Sequence, residues 1–192
     1  MTAPHYQEIA HQQVLVEDSS VFSIQWSTFP AALAAGLTPQ KLLDRYLAFV
    51  RSCTFSIIRP CRTAVGVDFR LLESSASLIS LTAPVIEDKT LVLRICGGLL
   101  VQPRQCDRGE LRFSVETTMS GVKVALQLSD YCPLLLGSPS PSFIRRWLYR
   151  LTQAAIHRLV TIRFLKLLYR ELTGTRSPVR VINASVRDGR ST

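Results

Sequence analysis

Apolar and polar residues alternate from residue 109 to residue 129. Phe113 and Val115 alternate with polar neighbours in the first half, and Val124 and Leu126 do so in the second. Because successive side chains of a β-strand point to opposite faces of a sheet, this pattern predicts two strands that share one apolar face. An antiparallel sheet with one apolar and one polar face needs a cover on its apolar side. The rest of the chain must supply that cover.

Further strands are predicted on both sides of a helical segment. Residues 21–27 alternate, with Phe22, Ile24 and Trp26 on one face, which predicts a half-buried strand. A threonine followed by a proline is a typical helix start and predicts a helix over about residues 38–53. The six strands predicted after that helix are 63–72, 76–83, 89–96, 99–103, 109–118 and 121–129.

The last long element is a helix predicted over about residues 143–172. At about 100° per residue, its apolar side chains fall within an arc of nearly half the circumference. An arc this wide is typical of a buried helix face, and the sheet is the one large apolar surface available to receive it. We therefore expect an α+β fold in which this C-terminal helix packs across the apolar face of the sheet.

The positive charge of the chain is concentrated near its C-terminus. Residues 1–139 carry twelve basic and twelve acidic side chains, whereas residues 140–192 carry eleven basic and two acidic, which is the whole net charge of +9. A charge excess of this kind can mark a surface for phosphates or anionic lipid. The candidate residues for an anionic surface border the apolar arc of the helix and are Arg145, Arg146, Arg150, Arg163 and Arg170. Because they lie on both flanks of that arc and not in one stripe, a nucleic acid is disfavoured as partner.

The length and composition predict one folded domain. The 192 residues are 47% hydrophobic, which excludes a disordered chain. We expect an N-terminal arm over residues 1–20, a single domain over residues 21–174 and a basic, flexible tail over residues 175–192. The N-terminus lacks the pattern of a signal peptide, and the uncharged run 74–86 is shorter than the roughly 20 residues of a membrane span. These features predict a cytoplasmic protein, with any membrane contact peripheral.

The sequence contains no catalytic or metal-binding motif. Its five cysteines form no C-x-x-C pair and have no histidine at zinc spacing, so reduced thiols and no metal site are expected. It has no G-x-S-x-G and no glycine-rich phosphate loop, and we expect no cofactor and assign no catalytic residue. A general acid drawn from Asp68, Glu73, Tyr131 or His157 stays open as an alternative.

The order of the predicted elements resembles that of the START-like, or helix-grip, superfamily. A strand, a helical segment, a run of antiparallel strands and a long C-terminal helix cover roughly residues 20–173. The superfamily includes lipid-transfer domains, polyketide cyclase-like proteins and plant allergen-like ligand carriers. Within it, Cys96-Gly97-Gly98-Leu99 and the YCPLLLG segment look like features of an uncharacterised bacterial branch. The resemblance implies a curved antiparallel sheet of about six to seven strands wrapped round the final helix, with a cavity between them.

The resemblance further implies a non-catalytic binding or carrier protein for an apolar or amphipathic small molecule. Arg158 projects from the middle of the predicted apolar arc, where it needs a carboxylate, a route to the rim or a buried anion. We expect it to bind an acidic, lipid-like head group. The expected ligand-binding residues are Trp147, Leu151, Ala154, Arg158 and Leu165 on the helix and Phe113, Val115, Val124 and Leu126 on the sheet.

Several alternatives stay open at this point. Arg158 can instead pair with Asp68 or Glu116 while side chains fill the space between helix and sheet. The basic helix can serve a peripheral membrane or anionic-surface binding protein, since its Trp147 and Tyr169 are typical of interfacial helices. A cyclase- or hydrolase-like enzyme can use the same cavity. The sequence sets no oligomeric state.

Overall fold

The computed structural model describes residues 6–18, 20–102, 108–134 and 155–191, which form three helices and eleven strands. The helices α1, α2 and α3 run over Ala31–Ala34, Pro39–Cys53 and Ala155–Thr173. The strands β1 to β11 run, in chain order, over Gln7–Leu15, Val21–Phe29, Ile58–Thr63, Gly66–Leu71, Ser77–Thr82, Val85–Glu87, Thr90–Gly97, Glu110–Thr118, Gly121–Tyr131, Val179–Asn183 and Arg190–Ser191.

The strands form one large mixed sheet. Its order is β10-β1-β2-β9-β8-β7-β5-β4-β3, while β11 pairs with β1 and β6 pairs with β7. The pairing of β1 with β10 is parallel and the other described pairings are antiparallel. The predicted α+β class with a C-terminal helix is confirmed. The predicted number of six to seven strands was too low. The sheet was also predicted to be antiparallel, but its described pairs include a parallel one, β1 with β10.

The extra strands come mainly from the two ends of the chain. The predicted arm over residues 1–20 contains β1, and the predicted flexible tail over residues 175–192 contains β10 and β11. Gln7 to His11 pair with Val179 to Asn183, which satisfies the outer edge of β1. The structure thus places strands in both segments, and isolated sequence patterns do not show that two distant segments complete each other's backbone hydrogen bonds.

The orientation of β2 is set by its register with β9. Directly opposite residues share a face of the sheet, and Gln25 and Ser27 lie opposite Leu126 and Val124. Because Val124 and Leu126 face the helices, Gln25 and Ser27 do so as well and are fully buried. Phe22, Ile24 and Trp26 therefore point to the other side, where Lys123 lies over the Trp26 ring at 5.1 Å.

The C-terminal segment covers part of that other side. Val14, Phe22 and Ile24 form a second small apolar cluster there. The Gln12 side chain accepts hydrogen bonds from the backbone nitrogens of Val186 and Arg187 at 2.8 and 2.9 Å. The Arg187 guanidinium also lies 5.4 Å from the centre of the Phe22 ring. Both faces of β2 are thus buried from Val21 to Gln25, whereas Trp26 is partly buried and Thr28 is exposed.

Aromatic rings join α2 and α3 to the sheet. The Thr38 hydroxyl caps α2 by accepting from Lys41 N at 3.2 Å, as the sequence predicts. From α2, Tyr46 contacts Phe113 of the sheet and Phe164 of α3, with ring centres 5.5 and 5.3 Å apart. These contacts hold both helices on the face of the sheet that the pattern of β8 and β9 marks as apolar.

The buried face of α3 differs from the predicted arc. It is formed by Thr161, Phe164, Leu165, Leu168 and Tyr169. Leu159, predicted to be inside, is 48% exposed, and Arg158 is also exposed. The interpretation that Arg158 lies in the middle of the apolar face was wrong. A helical pattern with apolar residues over nearly half its surface leaves the rotation of the helix to its packing partners.

Candidate functional site

A cavity of about 310 Å³ lies between the sheet, α2 and the first described turns of α3. Pockets for small molecules span about 300–1,000 Å³, so this one is at the lower end of the range. The described residues that line it come from the sheet, from α2, from α3 and from adjoining turns. They are Gln13, Val21, Ser23, Tyr46, Val50, Thr54, Ile58, Phe69, Leu78, Ile79, Leu81, Ile95, Leu100, Leu111, Leu128, Tyr131, His157 and Val160.

The lining is mainly apolar. Twelve of its eighteen described residues are aliphatic or phenylalanine, two are tyrosines, and Gln13, Ser23, Thr54 and His157 are polar. The Thr54 hydroxyl is already engaged, since it donates to Val50 O at 2.7 Å. No aspartate, glutamate, lysine or arginine is present among these described lining residues. The space therefore suits an apolar body with few polar groups.

His157 is the one histidine in this lining. Its ring is half-buried, but the Nδ1 atom is shielded from solvent and has no hydrogen-bond partner within the described part of the chain. Burial lowers the pKa of His157 to about 4, because desolvation disfavours the charged imidazolium. The ring is consequently neutral at pH 7 and carries one unused polar atom.

Two tyrosines complete the polar chemistry of the cavity. The Tyr131 hydroxyl donates to Leu100 O at 2.8 Å, which ties β9 to the turn after β7. The Tyr46 hydroxyl lies beside that of Thr161, and burial raises the pKa of Tyr46 to about 12. The Tyr46 phenol is therefore protonated at neutral pH, and both tyrosines serve as structural contacts of the wall.

A strip of buried polar residues continues from the cavity along β1 and β2 beneath α3. Gln25 Nε2 donates to Ser23 Oγ at 2.8 Å, and Gln7 Nε2 donates to Leu165 O of α3 at 3.0 Å. His11, on the same face of β1, is also buried. Burial lowers the pKa of His11, the charge of Arg158 lowers it further, and Asn183 raises it. This strip was not predicted from the sequence, because the alternation in β2 indicated the face of Phe22, Ile24 and Trp26 as the buried one.

The predicted binding residues of the sheet lie in the core beside the cavity. Phe113, Val124 and Leu126 are fully buried and Val115 is partly buried, and Leu165 of α3 joins them. None of these five is among the described lining residues. The face was predicted correctly, but the cavity lies further along the strands, where Leu111 and Leu128 line it. Trp147, Leu151 and Ala154 lie outside the described residues.

The remaining candidates divide between the cavity and the surface. Arg158 is exposed and is not among the described lining residues. Asp68 is paired with Arg70 at 3.1 Å, and the largely exposed Glu73 is paired with Arg59 at 2.8 Å. Of the residues named as a possible general acid, only Tyr131 and His157 line the cavity.

A second concavity, here called the basic groove, has a volume of about 600 Å³ and lies between α3 and residues 175–178. Its cationic lining residues are Arg163, Lys166, Arg170 and Arg176, and no acidic residue occurs in the described lining. Arg163 and Arg170 were predicted from the sequence to bind an anionic surface, and the fold brings Lys166 and Arg176 next to them. Arg145, Arg146 and Arg150 lie outside the described residues.

Other chemistries find little support in the described part of the molecule. Within it, no group of three or more histidine, cysteine or acidic side chains is placed to hold a metal ion. Burial raises the pKa of the Cys53 and Cys132 thiols, so neither is an activated thiolate. Of the helices described, none is both long and apolar enough to cross a membrane.

Comparisons with known proteins provide only distant similarities. No protein-family model and no curated protein matches the chain. The crystal structure of CalU16 from Micromonospora echinospora is similar at a TM-score of 0.43 and 12% identity, covering 88% of this chain and 86% of that one. The solution NMR structure of CalU16 has a TM-score of 0.41 and 14% identity, with coverages of 91% and 78%. Similarities this weak identify neither a family nor a function.

Proposed function

We propose that this protein binds an apolar or amphipathic small molecule in the cavity between the sheet, α2 and α3, as a START-like ligand carrier. The observation that supports this most directly is the cavity of about 310 Å³ with its mainly apolar lining. An apolar concavity of this size between helices and a sheet, with a few polar groups in its lining, is typical of small-molecule sites.

The first test is native mass spectrometry of the purified protein, followed by organic extraction of whatever it retains. We expect a bound apolar or amphipathic molecule whose mass is lost after extraction. The binding of a neutral, environment-sensitive dye to the extracted protein then measures access to the cavity. A protein that retains nothing and binds no such dye would overturn the proposal.

A pair of helix variants locates the binding. Val160→Phe adds an aromatic ring to the wall of the cavity and is expected to abolish dye binding. Leu159→Phe adds the same ring at the adjacent, 48% exposed position and is expected to leave dye binding unchanged. Equal dye binding by both variants would place the dye elsewhere.

The basic groove favours a second candidate function, which is binding to an anionic membrane surface. Four cations without an acidic residue in the described lining form a surface that attracts lipid phosphates.

We expect co-flotation with vesicles containing anionic lipid but not with zwitterionic vesicles. The double variant Arg163→Gln/Arg170→Gln should lose this binding. The control Arg59→Gln/Arg94→Gln removes equal charge at ion-paired sites and should retain it. Equal loss in both variants would contradict a specific role of the groove.

A further inference from the structure

The absence of charge in the described cavity lining restricts the kind of ligand that the proposed function allows. An ionised carboxylate or phosphate taken into an apolar space needs a paired cation, because an unpaired buried charge is costly. The described lining contains no arginine or lysine, and Arg158, the one cation that the sequence analysis had placed there, is exposed. The described lining therefore disfavours an acidic ligand.

Three of the four lining residues counted above as polar come from β1, β2 and α3, and the fourth, Thr54, already donates its hydroxyl proton to Val50 O. Gln13 of β1 and Ser23 of β2 lie directly opposite each other in the antiparallel pair, so their side chains are neighbours on the face toward the helices. Helix α3 packs on the same two strands and brings His157 to the cavity. Gln13, Ser23 and His157 together are here called the polar end, and the strands β5 and β7 contribute only aliphatic side chains to the lining.

At least one polar atom of this end is free to bind. The Nδ1 atom of His157 is buried and has no partner within the described residues. Ser23 Oγ accepts a hydrogen bond from Gln25, which leaves its own proton available for a further acceptor. A buried polar atom without a partner is costly, and a ligand that supplies the partner recovers that cost on binding.

From this geometry we propose that the ligand is electrically neutral and carries a hydrogen-bonding group, of the hydroxyl, carbonyl or amide class, that binds at the polar end. The neutral state of His157 agrees with this assignment, since its pKa is lowered to about 4 by burial. A hydroxyl can donate or accept and therefore matches either tautomer of the neutral ring. The inference rests on the proposed ligand-binding function.

The experiment compares three probes of similar size on the extracted protein at pH 8. They are 1-decanol, decanoate and undecane, and each is measured by displacement of the neutral dye. We expect 1-decanol to bind at least tenfold more tightly than decanoate, because only the second carries an unpaired charge into the cavity. Undecane has the same number of heavy atoms as 1-decanol but no hydrogen-bonding group, so it serves as the reference for burial of the apolar chain alone.

Two substitutions on neighbouring positions of α3 connect the result to the polar end. His157→Phe is expected to weaken 1-decanol at least threefold and to leave undecane unchanged, whereas Arg158→Leu is expected to change neither. If decanoate binds as tightly as 1-decanol, the inference is overturned while the proposed function stands. If Arg158→Leu also loses decanoate binding, the ligand is acidic and Arg158 binds its charged group. If the dye binds but none of the probes displaces it, the inference fails while the proposed function stands; if the protein retains nothing and binds neither the dye nor a probe, the proposed function itself fails. The comparison of probes on the unchanged protein decides the matter even if His157→Phe does not fold.

Discussion

The buried histidine of the cavity makes the stability of the fold depend on pH in a definite window. The pKa of His157 is lowered by burial from its usual 6.5 to about 4. Between these two values the unfolded chain binds a proton that the folded protein excludes, so stability rises with pH there and is constant above it. Acidification from pH 7.5 to pH 4.5 is therefore expected to remove roughly 2–3 kcal/mol through this one residue. Because the ring is half-buried and not fully buried, this value is an upper limit.

The assay is urea unfolding at pH 7.5, 6.5, 5.5 and 4.5 for the protein and for His157→Gln. Glutamine keeps a polar side chain of similar length but does not titrate. The protein is expected to lose roughly 2–3 kcal/mol more than the variant at most over this range, with most of the difference below pH 6.5. The lowered pKa of His11 affects both proteins alike and cancels in the comparison. Identical pH profiles for the two proteins would refute the reasoning that the ring is neutral and buried.

Three further predictions concern the frame around the cavity. Phe113→Ala is expected to cost about 3–5 kcal/mol in urea unfolding, because the ring is fully buried against Tyr46. The exposed control Met119→Ala should cost less than about 0.5 kcal/mol, and similar costs for both would contradict the packing described. Gly98→Ala should destabilise the fold by at least about 1–3 kcal/mol, since φ is +119° and an added Cβ would lie 2.4 Å from the Leu78 oxygen. Gly36→Ala, with open space at the same point, is its control, and a tolerated Gly98→Ala would mean that the turn after β7 is misplaced. Removal of residues 176–192 should lower both the free energy of unfolding, by several kcal/mol, and its urea dependence, because it uncovers the edge of β1 and the apolar cluster around Phe22. A truncated chain with unchanged unfolding would show that this segment does not pack on the sheet.

The residue pattern alone was sufficient for the central strands and for the ends of the helices. The predicted strands 109–118 and 121–129 correspond to β8 and β9, whose alternation reflects one face toward the helices. Thr38 caps α2 as predicted, and α3 ends before Gly174, whose φ is +68°. These features follow from local physics, since the period of the side chains and the chemistry of a helix end do not depend on distant parts of the chain.

The tertiary structure decided which face of each element is buried. In β2 the pattern alone indicates the face of Phe22, Ile24 and Trp26 as the buried one, yet the register with β9 turns Gln25 and Ser27 toward the helices. The rotation of α3 likewise moves Arg158 out to solvent and brings His157 to the cavity. The sequence by itself thus determined the class of fold and the presence of a helix over an apolar sheet. Only strand register and helix rotation decided which of the described residues line the cavity, with no charged side chain among them and with a polar end, because register and rotation depend on contacts between residues far apart in the chain.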